Sequence, residues 1–160
     1  MTSIRVSAID PGRLETIRHH GEDEAGNALA PFSAEGWEPL RCCLIVAGAG
    51  DRILLISYSP FTVVSPWAET GPVFVHAVRC PGYRTCDELP GALRTGPRVL
   101  RPYHADGSLD YADITVVDAG DDIEDHVLDL LRRPAVDTVH VRALGPQCFT
   151  YAVTAAPSGH

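Results

Sequence analysis

Residues 4–9, IRVSAI, alternate apolar and polar positions, which predicts a first strand. Asp10 followed by Pro11 has the form of an N-cap with proline at N1, and predicts a short helix to about His20. Residues 21–38 are rich in Gly, acids and Ala and read as a long loop. RCCLIVAG and RILLISYS, joined by AGD, read as a hairpin. Leu44, Ile45, Val46, Ile53, Leu54 and Leu55 are apolar on both alternating faces, which predicts central strands covered on both sides. A Pro-rich loop over 59–72 leads into a strand VFVHAVR at 73–79, and 81–96 read as irregular. PRVLRPY is a short strand whose Pro102 suits an edge or a strand end, and DYADITVVDAG carries the next strand.

DDIEDHVLDLLRRP has the strongest helical pattern. Ile123, Val127, Leu130 and Leu131 fall on one face, Asp121 and Glu124 have capping-box spacing, and Pro134 ends the run. VDTVHVRA and QCFTYAV read as a final hairpin. The expected fold is α+β: one domain over 1–154, a mixed and largely antiparallel sheet with two or three flanking helices, and a flexible tail over 155–160.

Composition narrows the function. The chain has 160 residues, enough for one domain with a real core. Its net charge of −8 and scattered arginines argue against nucleic acid as a partner. Neither a bilayer-spanning apolar run nor a secretory signal is visible, so no membrane partner and a cytoplasmic location are the expectation. All 13 basic residues are Arg. Without Lys there is no Schiff base, pyridoxal phosphate lysine or Walker lysine, and no cofactor can be named. The odd count of five cysteines points to reduced thiols.

The ordered motifs PLRCCL, LLISYSPF, SPWAETGPVFVH, LRPYHADG and VHVRALGPQCFTYAV resemble a bacterial family, the domain of unknown function 1203. The resemblance runs from about residue 36 to 154 and is most specific at SPWAETGPVFVH. The family pattern often has a Cys just before the arginine matched by Arg41, where this chain has Leu40. The resemblance implies a fold-sized unit and no particular activity.

Candidate chemistry was sought among the remaining polar residues. His76-x3-Cys80 resembles a metal-ligand spacing, but four residues along a strand span roughly 13 Å. Adjacent Cys42 and Cys43 on a strand would point to opposite faces, so no metal site is expected. His76 shares a face with Phe74 and Val78, either as a core histidine or as an acid/base group. In the final hairpin, Val139 and Val141 would face Phe149, Tyr151 and Val153. The other face would set Arg142 across from Cys148 and His140 across from Thr150. A guanidinium beside Cys148 would activate that thiol; otherwise this is a solvated face. Arg41, Arg101 and Arg142, with Tyr103 near, could clamp an anion, or simply pair with surface acids. Pro66, Gly71 and Pro72 stiffen a loop that presents Trp67 and Glu69. The expected site therefore binds or transforms a small polar or anionic molecule. His76, Cys148 and Glu69 are its catalytic candidates, and Arg41, Trp67, Arg101, Tyr103, His140 and Arg142 its ligand contacts. The alternative is an interaction module, most simply a homodimer through a sheet edge or the Trp67 loop.

Overall fold

Two sheets, not one, carry the apolar alternation. The computed structural model describes residues 2–157. One sheet has the order β1 (Ile4–Ser7), β10 (Phe149–Ala155), β9 (Thr138–Ala143), β7 (Arg98–Tyr103) and β8 (Thr115–Val117), antiparallel throughout. The other has the order β2 (Phe32–Ser33), β5 (Arg52–Tyr58), β6 (Gly71–His76), β3 (Pro39–Leu40) and β4 (Ile45–Val46). Its β3–β6 pair is parallel and the rest are antiparallel. Two helices accompany them, α1 (Pro11–His20) and α2 (Glu124–Leu131). The α+β class and the antiparallel bias hold; the single sheet does not.

Both helices form where the pattern places them. The Asp10 side chain accepts the Arg13 N–H, Pro11 opens α1, and Gly21 closes it at φ 74°, a left-handed conformation that glycine adopts without strain. Ile123, Val127, Leu130 and Leu131 bury one face of α2 against Val139, Val141, Tyr151 and Val153. Each such side chain contributes about 1.5–3 kcal/mol by leaving water. The capping box is displaced: Ile123 holds the cap position, and Asp122 rather than Asp121 accepts the Glu124 N–H at 2.8 Å.

Three strand expectations change. The first proposed hairpin is absent, because 41–44 form a turn and β4 is a two-residue edge strand. Its intended partner β5 lies between β2 and β6. β6 stops at His76 instead of Arg79. β7 is internal, yet Pro102 still obeys the rule for edges. β8 pairs only with Arg98, Val99 and Leu100, and the Pro102 carbonyl accepts Asp110 N–H on that same side, beyond the end of β8. The nitrogen of Pro102 therefore faces no strand that needs a donor.

The final hairpin forms with a bulge between Phe149 and Tyr151. Val141 pairs with Tyr151 and Val139 with Val153, as the alternation suggests. The extra residue moves Phe149 across the sheet, so that Arg142 faces Phe149 and His140 faces Ala152. β10 includes Ala155, the first residue assigned to the tail, and 158–160 lie outside the described residues. Among the described residues no helix is long and apolar enough to cross a membrane.

Candidate functional site

β7 and β9 place Arg101, Tyr103, Thr138, His140 and Arg142 on one face, because residues two apart share a side and Arg101 pairs with His140 and Tyr103 with Thr138. That face is covered, not solvated. Tyr103, His140 and Arg142 are only 2%, 3% and 5% exposed. The rings of Phe61, Tyr103 and Phe149 stand around the His140 imidazole at centroid distances of 5.0, 4.6 and 5.0 Å.

The cover leaves polar atoms without partners. The Tyr103 hydroxyl, His140 Nδ1, Arg142 Nε and Thr150 Oγ1 are buried and make no hydrogen bond. A buried unsatisfied group typically costs about 1–3 kcal/mol, so four on adjoining strands are unusual for a purely structural interior. Two hollows open beside them, sharing Tyr58, Pro60 and Phe149 as a common wall. The larger, about 610 Å³, is lined by His140, Tyr103 and Phe61 among others. The smaller, about 360 Å³, is lined by Glu69, Arg101, Arg142, Gln147 and Cys148.

Burial, reinforced by the charges of Arg142 and Arg101, pushes the His140 imidazole from 6.5 down to about 3, so it is neutral near pH 7. Burial also raises the Tyr103 phenol and lowers the Arg142 guanidinium. Arg142 Nη1 donates to the Gln147 carbonyl at 3.0 Å. One carboxylate serves both arginines: Glu69 is 3.1 Å from Arg101 Nη1 and 3.5 Å from Arg142 Nη1, while its own side chain is half exposed. Gly71 and Pro72 open β6 directly after the Glu69 loop.

Several sequence candidates lie elsewhere. Arg41 is buried and spent on backbone, with Nε donating to the Phe149 carbonyl at 2.7 Å and Nη1 to the Pro39 carbonyl at 2.6 Å. Burial lowers it to about 10, and it lines neither hollow. The Trp67 indole N–H donates to the Tyr111 hydroxyl at 2.8 Å, and Trp67 also lines neither hollow. Cys148 sits at the rim of the smaller hollow, with Sγ 3.8 Å from the Pro146 carbonyl and Phe149, not Cys148, opposite Arg142. His76 lines neither hollow. Its Nδ1 lies 3.5 Å from Cys42 Sγ and 3.6 Å from Cys43 Sγ. The three catalytic candidates are thus divided between two places, with only Glu69 and Cys148 lining a common hollow.

The geometric case against metal ligation also fails. Because β6 ends at His76, the chain bends and returns Cys80 toward the strand end. Because 41–44 form a turn, the adjacent cysteines face the same way. The ligating atoms of Cys42, Cys43, His76 and Cys80 all lie within 4.8 Å of one another. The Cys42 thiol is pushed up by its hydrogen bond to Cys43 and by burial, whereas that same bond pulls Cys43 down. Sequence reasoning missed this cluster because its spacing has no CxxC. It also missed Tyr58, Phe61 and Phe149, whose apolar character signalled only core.

The family model described as "Protein of unknown function (DUF1203)" matches residues 37–155. No curated protein and no solved structure matches the chain.

Proposed function

The chain belongs to the DUF1203 family, and we propose that it binds a small anionic molecule with an apolar body in the hollow lined by Arg101, Arg142 and Phe149. The observation that carries this reading is Arg142: a buried guanidinium whose Nε has no partner and whose nearest carboxylate is half exposed at 3.5 Å. A buried charge is normally paired and hydrogen-bonded on all its donors. A ligand carboxylate between the two arginines would take over the role of Glu69 and reach the free Nε–H in a bidentate contact. Tyr58, Pro72, Val73 and Phe149 supply apolar wall for the rest of the molecule. The reading is binding and not turnover. Cys148 has no base at hydrogen-bonding distance among the described residues, and His140 is held neutral without a partner that would relay a proton.

Benzoate and its neutral isostere benzamide test this reading by calorimetric titration. Benzoate should bind and benzamide should not, and Arg101→Gln should weaken benzoate at least tenfold while leaving the fold intact. Equal binding of the two probes, or no binding of benzoate, succinate or inorganic phosphate, contradicts it.

A second reading, self-association, draws on exposed apolar side chains of the second sheet. Trp37 is 60% and Leu55 52% exposed, and the rings of Phe32 and Trp37 stand against Phe74 at 6.3 and 5.6 Å. The routes expected from sequence find less support: the edge strands are two to four residues long, and Trp67 is engaged within the chain. Sedimentation of wild type against Trp37→Ser and Leu55→Ser decides it, since a dimer on this patch dissociates in the variants.

A further inference from the structure

We propose that Cys42, Cys43, His76 and Cys80 form a tetrahedral site for one zinc ion, with three thiolates and the His76 Nδ1 as ligands. The distances are those of a zinc polyhedron. Bonds of about 2.3 Å to sulfur and about 2.0 Å to nitrogen place tetrahedral ligand atoms about 3.8 Å apart for a sulfur pair and about 3.5 Å for sulfur and nitrogen. Cys42 Sγ and Cys43 Sγ are 3.8 Å apart, and His76 Nδ1 is 3.5 and 3.6 Å from them. Cys80 completes the set within the same 4.8 Å span. Three soft sulfurs and one imidazole in this geometry select zinc over the hard cations, which take oxygen.

The surroundings are those of bound thiolates. Cys42 Sγ accepts the His76 backbone N–H at 3.3 Å. A neutral thiol is a weak acceptor, whereas amide hydrogen bonds to ligating sulfur orient the ligands and spread their charge. Three thiolates and Zn²⁺ leave one net negative charge. Arg79 and Arg18, the latter paired with Glu15 at 3.1 Å, line the same shallow hollow as Cys42 and Cys80, and Arg18 Nη2 donates to the His76 carbonyl at 2.9 Å.

The backbone is bent to make this set. Leu44 has φ 59°, and its N–H closes the turn on the Leu40 carbonyl at 2.8 Å. A branched residue in the left-handed region costs about 1–2 kcal/mol, and such strain persists where surrounding structure requires it. Here the turn points two adjacent cysteines to one side. Gly82, at φ 77°, turns the chain two residues after Cys80. Four protein ligands leave no open position, so the ion is structural. It would tie the 41–44 turn to the end of β6 and to the 77–82 loop.

The test is metal analysis of the full chain purified with a reductant and without chelator, followed by replacement with Co²⁺. The expected result is one zinc per chain and, with cobalt, the thiolate charge-transfer and visible bands of a tetrahedral sulfur-rich site. Cys80→Ser and His76→Gln should lose or shift these bands, and Cys148→Ser should keep them. If Cys80→Ser does not fold, the wild-type cobalt spectrum decides alone. Absence of retained zinc together with an aqua-type cobalt spectrum overturns the site. So does a Cys42–Cys43 disulfide in the protein purified with reductant, or a cobalt spectrum that is unchanged in folded Cys80→Ser.

Discussion

His140 should make the protein sensitive to acid well above the range of its carboxylates. Its imidazole is 3% exposed and held down to about 3 by burial and by the charges of Arg142 and Arg101. The unfolded chain titrates this group near 6.5, so below that pH the unfolded state binds a proton that the folded state refuses. Stability is fully present above 6.5 and is lost as pH falls toward 3, at about 1.4 kcal/mol per pH unit. Between pH 7 and pH 5 the loss is about 2 kcal/mol, and over the whole window about 5 kcal/mol. The variant that isolates it is His140→Phe, because three aromatic rings already stand about the imidazole at 4.6 to 5.0 Å. Carboxylates held low, such as Asp23 and Glu38, titrate alike in both proteins and cancel in the difference. The assay is urea unfolding of wild type and His140→Phe from pH 7.5 to pH 4.5. Wild type should lose stability relative to the variant from about pH 6.5 downward. A difference that stays flat to pH 5 would refute the burial argument for this face.

Other outcomes follow from neighbouring geometry. Tyr103→Phe removes a buried hydroxyl without a partner and should raise unfolding stability in urea by about 1 kcal/mol. Gly96→Ala should destabilise by about 3 kcal/mol or prevent folding, since a Cβ would meet the Asp118 carbonyl and lie 2.6 Å from that of Val117. Gly91→Ala, with nothing within 4 Å of the added Cβ, should be near neutral when both variants are compared with wild type in a thermal scan. Glu38 accepts the backbone N–H groups of Glu35, Gly36 and Trp37 at 2.8 to 3.0 Å, which offset its burial and hold its carboxyl low. Glu38→Gln should lower the urea midpoint at pH 7, and the gap should close in acid as the wild-type carboxylate takes up its proton.

Much of the architecture was legible because local signals decide it. Asp10, Pro11 and Gly21 bound α1, and the Ile123–Val127–Leu130–Leu131 stripe finds its sheet. Alternation in β9 correctly sorts Val139 and Val141 from His140 and Arg142. What alternation cannot say is which face of a strand a second sheet will cover, and the polar face of β7 and β9 proves to be the covered one. The bulge beside Tyr151 has no sequence marker, so the partner of Arg142 was off by one residue. The cysteine cluster was hidden for a backbone reason. Its turn needs a left-handed Leu44, where a glycine would have announced it, and the end of β6 carries no Gly or Pro until Pro81. Arg41 read as a ligand contact because a lone arginine at a strand start gives no hint that two carbonyls await it.

If Arg142 holds an anion, its unpartnered Nε–H is the group that will report it. The direct measurement is ¹⁵N NMR of the arginine Nε–Hε groups during titration with benzoate, with Arg142 assigned by its absence in Arg142→Gln. The Arg142 Nε–Hε resonance should move downfield and become protected from exchange as benzoate saturates, with Arg101 shifting in parallel and Arg41 unmoved. An Arg142 resonance that ignores benzoate, succinate and phosphate alike would contradict the anion site.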